Sequence, residues 1–236
     1  MQDNNQKEYC GLSELLSIDK YMPKYNSYIM ELCSDLTKNK NKVVDFGAGI
    51  GTLSLIFKDL YKQEPICVEI DEKNIKLLEA KGLKVFEKIT DIPEHIDLVF
   101  SSNVLEHIRD DEGTLKEISK KLSKGGVLYL YLPAHEILKT KLDETVGHYR
   151  RYSKSDILSK LESSGFVVTK VHYADSVGFF LTLLSKIFRY NPISDIGSTT
   201  SLKLYDKYLL PISKLLDRLG GKYIIGKNIV ISAKKS

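Results

Sequence analysis

Val43-Val44-Asp45-Phe46-Gly47-Ala48-Gly49-Ile50-Gly51-Thr52-Leu53-Ser54 decides the fold of this chain. The first four residues read as a buried strand carrying one acid. Glycines at the alternate positions 47, 49 and 51 make a turn, and the apolar-periodic residues after it open a helix. With side chains removed from the turn, a cofactor can approach the backbone closely.

Outward from this turn, strand and helix patterns alternate. Strands are expected over 42–46, 65–70, 83–86, 96–100, 127–132, 167–173 and 228–233. Between them, helices are expected from 51 to about 61, over 72–81 with Gly82 as its stop, over 112–122, and over 154–163 behind the cap residue Ser153. Run 96–100 is mostly apolar, as suits a parallel strand buried on both faces. Upstream, residues 1–23 read as an irregular lead-in, and Pro23 opens a helix whose apolar face carries Tyr28, Ile29, Leu32 and Leu36. This order predicts an α/β fold with helices on both faces of a mostly parallel sheet.

The 236 residues suffice for one substantial core. A composition of 42% hydrophobic and 28% charged residues excludes a disordered chain. Thirty-five basic against 31 acidic residues leave a net charge of +4 without a long basic tract, so charge gives no support to nucleic acid as a partner. Cys10, Cys33 and Cys67 are widely spaced and suit free thiols in a reducing compartment. Residues 1–8 lack the apolar run of a secretory signal, from which cytoplasmic residence is expected. The apolar run 176–185 is shorter than the ~20 residues a membrane-spanning helix needs.

An acid at Asp45 ahead of Gly47, Gly49 and Gly51 resembles the first motif of class I S-adenosylmethionine (SAM) dependent methyltransferases. Three further segments match that family in order. Glu69-Ile70 ends the second strand roughly 20 residues beyond the glycines, where an acid can accept hydrogen bonds from both ribose hydroxyls. Asp91-Ile92 precedes the fourth strand. Ser101-Ser102-Asn103-Val104-Leu105-Glu106-His107-Ile108 is similar to the family's "N-V-L-E-H" segment, and Leu122-Ser123-Lys124-Gly125-Gly126 resembles its "L-K-P-G-G" turn.

The resemblance implies a Rossmann-like seven-stranded sheet with the last strand antiparallel, inserted between strands five and six. It also implies SAM as cofactor, S-adenosylhomocysteine as product, and a helix after Pro23 that partly covers the cofactor. By the same resemblance Asp45 meets the SAM amino group, the loop of Gly47, Ala48, Gly49 and Gly51 cradles the cofactor, and Glu69 and Ile70 flank the ribose. Asp91 would meet the adenine amine with Ile92 on the ring, and Asn103 and Val104 would lie beneath the methionine end. The dinucleotide fingerprint shares the glycines, but its third glycine or alanine would stand where this chain has Thr52, which disfavours nicotinamide.

Regular alternation stops at 133–153, and loops at the carboxyl ends of parallel strands form the rim of an α/β site. Gly147-His148-Tyr149-Arg150-Arg151-Tyr152-Ser153 resembles the "G-H-x-R-x-[FY]-[ST]" lead-in of small-molecule methyltransferases. His148 is the candidate general base, since an imidazole titrates near ~6.5. Tyr149 could orient the acceptor, and Arg150 and Arg151 could grip a carboxylate or phosphate. No metal site is expected, because Glu106-His107 lacks the second histidine of a zinc helix and no Cys–His cluster stands at ligand spacing.

Residues 174–226 are too long for a hairpin and read as a helical cap, with a second helical pattern over 202–219 containing Pro211. The expected organisation is one methyltransferase domain over 1–236: lead-in and helix 1–41, core 42–173, cap 174–226, last strand and tail 227–236. The cap's apolar residues suit packing against the sheet or a second subunit. That is the favoured reading, and the alternative is peripheral contact of 177–189 with anionic lipid through Lys186 and Arg189. The expected reaction is in-line methyl transfer to O or N of a small-molecule or sugar- or lipid-linked intermediate. A non-catalytic SAM- or nucleotide-binding module and a nicotinamide oxidoreductase are the alternatives.

Overall fold

The computed structural model describes residues 12–38, 40–93, 95–187 and 199–236. Among them, β1 (Val43–Phe46), β2 (Ile66–Val68), β3 (Val85–Phe86), β4 (Ile96–Ser102), β5 (Leu122–Pro133), β6 (Phe166–Ala174) and β7 (Asn228–Lys235) form one sheet of order β3-β2-β1-β4-β5-β7-β6. Strands β1 to β5 run parallel, and β7 lies antiparallel between β5 and β6, as the resemblance implied. The chain crosses to opposite sides of β1 when it forms β2 and β4, which opens a ligand crevice at their carboxyl ends.

Alternating side chains fill the two faces of the sheet. Val44, Val99, Leu128 and Leu130 join Leu115 and Ile118 of α5 (Asp111–Lys121) and Ile157 and Leu161 of α7 (Lys154–Ser163) on one face. Val43, Leu98, Phe100, Tyr129 and Tyr131 join Ile29 and Met30 of α2 (Pro23–Glu31), Phe57 of α3 (Thr52–Tyr61) and Leu210 on the other. Helix α4 (Glu72–Ala80) begins on Asp71, whose side chain accepts from Lys73 N and Asn74 N. Ser153 Oγ likewise accepts from Asp156 N at 3.1 Å, so the cap read from the sequence forms.

Two elements differ from expectation, and a third, the expected 202–219 helix, forms around its proline. The lead-in is not irregular over its described part: Leu12–Tyr21 is a helix, α1, while residues 1–11 lie outside the described residues. It buries no residue completely and leans on Tyr21, which stacks under Lys203 at 5.0 Å, and on Asp19, which accepts from Thr52 Oγ at 2.6 Å. Strand β5 begins five residues before its expected start, because Leu122 pairs with Ile96 and the glycines 125 and 126 sit in a register shift rather than in a free turn. Pro211 does not break the 202–219 helix. Helix α9 (Thr199–Leu204) widens into one π-turn over Tyr205–Leu209 before α10 (Leu210–Arg218), and Leu210 N donates to the Tyr205 carbonyl. An i→i−5 pattern there absorbs the donor that proline lacks. The remaining helices are the short α6 (Lys141–Thr145) and α8 (Ser176–Ile187).

Gly47 has φ +78°, and a Cβ built on it would stand 2.3 Å from Val104 Cγ2. Gly47→Ala therefore meets both left-handed strain and a clash, and should cost roughly 1–3 kcal/mol of stability. Adding Val104→Ala should recover part of that loss. Thermal denaturation of the single and double variants checks it, and equal midpoints for the two would show that the Val104 contact is not the cause.

Candidate active site

The glycine turn is hung on β2. Gly47 N and Ala48 N both donate to the Val68 carbonyl, at 2.9 and 3.1 Å, and Gly51 N closes the turn on the Ala48 carbonyl at 2.9 Å. Gly47, Gly49 and Gly51 have φ +78°, +53° and +85°. Beside the turn the buried Glu69 accepts from Gly49 N at 2.7 Å through Oε2, and from Ile70 N and Asp71 N at 2.8 and 2.9 Å through Oε1. Burial nevertheless raises its pKa, against the pull of those three donors. Asp45 is buried within β1 and accepts from Ser54 Oγ at 2.7 Å. Burial pushes its carboxyl up to about 7; Ser54 opposes the shift and the charge of Glu69 adds to it.

Ile70 stands outward at 69% exposure, an apolar side chain next to a buried acid at the mouth of the crevice. Asp91 is exposed in a single 3-10 turn, Ile89–Asp91, and Ile92 is buried in the core behind it. Asn103, at φ +52°, follows the end of β4 with its side chain toward solvent, and Val104 packs over Gly47. The structure thus gathers the expected cofactor residues around the carboxyl ends of β1, β2 and β4, with Asp91 and Ile92 before β4. Two buried carboxylates, a side-chain-free loop and an exposed apolar residue fit a ligand with a cationic amine, ribose hydroxyls and a planar base, as SAM has.

The acceptor side is built from the loops after β4 and β5. His148 Nδ1 lies 2.8 Å from Asp143 Oδ1, and His148 Nε2 lies 3.9 Å from Glu106 Oε1. Asp143 also accepts from Arg151 Nε and Nη2 at 3.0 and 3.1 Å and from Thr140 N at 2.7 Å. Burial would raise the Asp143 carboxyl, but His148 and Arg151 outweigh it and hold the group well below the usual carboxylate range. Glu106 has no exposure, and burial lifts it to about 7. The ring of His107 meets that of His148 edge-on with centroids 4.5 Å apart, and burial brings His107 down to about 4, with His148 adding to the shift.

Tyr149 is exposed with Arg109 over its ring at 5.5 Å, and its N–H donates to the Glu106 carbonyl at 2.8 Å. The arginine pair is engaged within the protein. Arg150 Nη1 is 2.7 Å from Asp111, and the buried Arg151 spans Asp143 and the Ala134 carbonyl, so neither presents an open fork to a substrate anion in this arrangement.

Glu106 and His107 entered the sequence reading only as part of the 101–108 segment, and two side chains of this rim escaped it: Asp143 and His135. The last follows β5 at φ +61°, stacked on Tyr173 at 4.8 Å and edge-on to Phe179 at 5.3 Å. The fold also brings together potential ligands that are apart in the sequence. Among the described residues, Glu106, His107 and His148 each offer a ligand atom, all within 4.8 Å of one another. Spacing could not reveal this, because the third member comes from a loop 41 residues after the second. Asp143, five residues before His148 in an otherwise polar loop, was the one signal available.

A family model described as a methyltransferase domain matches residues 18–171, well over half of the chain. Comparison with curated proteins gave no match. Among solved structures the chain is similar to a SAM-dependent methyltransferase from Thermotoga maritima, with TM-score 0.63 and 16% identity over 95% of this chain and 94% of that one. A SAM-dependent methyltransferase from Archaeoglobus fulgidus gives TM-score 0.62 and 18% identity over 94% and 99%. Magnesium protoporphyrin IX methyltransferase from Synechocystis, crystallised with bound S-adenosylhomocysteine, gives 0.55 and 13% over 90% and 84%. At these identities the structural likenesses establish the fold.

Asp45 and Glu106 both have folded-state pKa values raised to about 7. A carboxyl raised above its unfolded value of ~4 contributes stability that is complete below the unfolded value and is lost as pH rises through the folded one. The melting temperature of the ligand-free protein should therefore fall between about pH 4 and 7.5 and level off above that. Asp45→Asn should flatten that fall, and an unchanged slope in the variant would remove Asp45 as its source.

Proposed function

The chain belongs to the class I SAM-dependent methyltransferases, with SAM as cofactor, and on that premise we propose that it methylates an oxygen or nitrogen of a lipid-linked biosynthetic intermediate at an anionic membrane surface. One observation carries the acceptor class: the helices between β6 and β7 leave many of their large apolar residues exposed. Helices α8 and α10 pack on one another, burying Ser176, Gly178, Phe179 and Ser185 of the first and Leu210, Ser213 and Asp217 of the second. Apart from Phe179 and Leu210, most of their large apolar residues face outward: Phe180, Leu181, Leu184 and Ile187 on α8, and Ile212, Leu215 and Leu216 on α10 with Leu219 just after it. Small residues between helices and large apolar ones outside is the arrangement of helices in an apolar medium.

Charge selects the medium. Among the described residues of 176–224, Lys186, Lys203, Lys207 and Arg218 are exposed, whereas the acids Asp206 and Asp217 are buried. A second copy of the chain would bring like charges together; an anionic bilayer would not. Each apolar side chain gains roughly 1.5–3 kcal/mol on full burial, against ~1 kcal/mol for each basic residue near anionic headgroups. The apolar face thus supplies affinity and the basic residues choose the lipid. No helix among the described residues is long and apolar enough to cross a membrane, so the contact is peripheral. In this reading the whole chain is one methyltransferase domain and 174–226 is its lipid-facing cap.

SAM supplies a methyl group already activated by its sulfonium, so the protein's task is to align the acceptor and exclude water. Asp45 and Glu69 hold the cofactor's polar groups, Gly47, Ala48, Gly49 and Gly51 admit it to the backbone, and Asn103 and Val104 close over it. Ile70 and Asp91 frame its base, with Ile92 packed in the core behind Asp91. His148 receives the acceptor's proton: the carboxylate of Asp143 takes the Nδ1 proton as its hydrogen-bond partner, which leaves the lone pair on Nε2, the nitrogen 3.9 Å from Glu106. Tyr149 orients the acceptor at the rim.

Two measurements test this. In sedimentation with vesicles, the protein should pellet with phosphatidylglycerol and far less with phosphatidylcholine. A Phe180→Ser, Leu184→Ser, Ile187→Ser triple variant should stay in solution with SAM affinity unchanged; no pelleting of the native chain at low salt would end the membrane reading. With methyl-labelled SAM and a total cell extract, label should enter the organic phase, and His148→Gln should lower incorporation ~10²–10⁴-fold while sparing SAM affinity. Label confined to the aqueous phase would instead identify a free small-molecule acceptor.

A further inference from the structure

Glu106 presents a problem that neither of its protonation states solves. It has no solvent exposure, and neither carboxylate oxygen meets a hydrogen-bond donor from another residue. As an anion it would be a buried charge without a partner, which native structures avoid. As a neutral acid it would hold a hydroxyl with no acceptor in reach, since His148 Nε2 at 3.9 Å is too far for a hydrogen bond. A bound cation answers both difficulties, because its charge offsets the carboxylate and coordination replaces the missing hydrogen bonds.

We propose that Glu106, His107 and His148 bind one divalent first-row transition ion, of the class of zinc or cobalt, at the acceptor end of the site. Two imidazoles and a carboxylate form the borderline donor set that such ions take, and three protein ligands leave a coordination position open. The ligand atoms now lie within 4.8 Å of one another, and an ion with bonds of ~2.0–2.2 Å draws them closer. Around this set stands the support that metal-bound histidines have. The second nitrogen of His148 is held by Asp143 at 2.8 Å, and Asp143 is fixed in turn by Arg151 and Thr140. The two loops that supply the ligands are joined by the bond from Tyr149 N to the Glu106 carbonyl.

The consequence for chemistry rests on the methyltransferase reading above. An acceptor hydroxyl at the open position loses its proton to solvent more readily, its oxygen forms the bond to the methyl carbon, and the carbon–sulfur bond of the sulfonium breaks. In the loaded protein His148 Nε2 is then a ligand, and its part as proton acceptor belongs to the ion-free protein.

The full chain, stripped with chelator and titrated with cobalt(II), should take up one ion and develop visible absorption bands of a nitrogen–oxygen site. Glu106→Gln and His148→Gln should abolish uptake, Asp143→Asn should weaken it ~10–100-fold, and His95→Gln, an exposed residue outside the cluster, should leave it unchanged. Retained SAM binding in each variant shows that it is folded. No stoichiometric uptake, or undiminished affinity in Glu106→Gln, overturns the site. Label incorporation separates the two readings. Turnover that survives chelation and still falls in His148→Gln refutes the ion and leaves the proton-acceptor role standing, whereas stoichiometric cobalt uptake without methyl transfer supports the ion and refutes the acceptor assignment.

Discussion

Two backbone N–H groups converge on one carbonyl, and the cofactor side of the molecule depends on it. Because Gly47 N and Ala48 N both donate to Val68 O, the chain leaving β1 must turn at once across the end of β2. That turn delivers Gly49 N to Glu69, so the acid at the end of β2 is fixed by the loop from β1. The loop from β4 closes the arrangement through Val104, which occupies the space a side chain on Gly47 would need. Three consecutive parallel strands are thereby interlocked at their carboxyl ends. Asp45 lies directly beneath, paired with Ser54, and the pairing does not offset its desolvation. An acid held this way is poised for a cationic partner.

The acceptor side is organised by a different buried acid. Asp143 belongs to a short local segment, 140–151, yet it ties the whole segment down by accepting from its own helix start at Thr140 and from Arg151 and by pairing with His148. The tie extends to the sheet: Arg151 reaches the Ala134 carbonyl, Tyr152 N donates to the Pro133 carbonyl and His135 N to the Tyr152 carbonyl. The rim is therefore an extension of β5 rather than a free loop, which is the rigidity that the role proposed for His148 requires.

Local constraints were legible in the sequence, and long-range ones were not. The glycine turn, Glu69 and the Ser153 cap follow from backbone conformation and spacing within a few residues or one βαβ unit. Helix α1 was missed because it has no fully buried face of its own and takes its support from Thr52 and from α9, far along the chain. The early start of β5 depends on pairing with Ile96, and the π-turn before Pro211 on a tolerance that a proline rule does not anticipate. In the site, Arg150 and Arg151 looked alike as a dipeptide, but Arg151 is inward on Asp143 and Arg150 lies across Asp111. Only the fold brings Glu106 and His107 against His148.

The cap's exposed apolar face has a physical cause in how the cap is attached. Asp206 accepts from Lys24 N and Tyr25 N, capping from 180 residues away a helix whose own N-cap residue, Met22, makes no side-chain bond. Asp217 accepts from Asp175 N, from Ser176 and from the Tyr28 hydroxyl, and Asp175 accepts from Gly178 N, Ser213 and Tyr205. Hydrogen bonds to buried carboxylates are among the stronger ones in a fold, so the helices can be fastened to α2 and β6 through polar groups. Leu210 and Phe179 add apolar contacts inward, and the exposed apolar residues are not needed for that attachment. A helix pair fastened by apolar contacts would have turned Phe180, Leu184 and Leu215 inward. Fastened by acids, it keeps the core's seal over α2 and leaves its apolar surface free to meet something else.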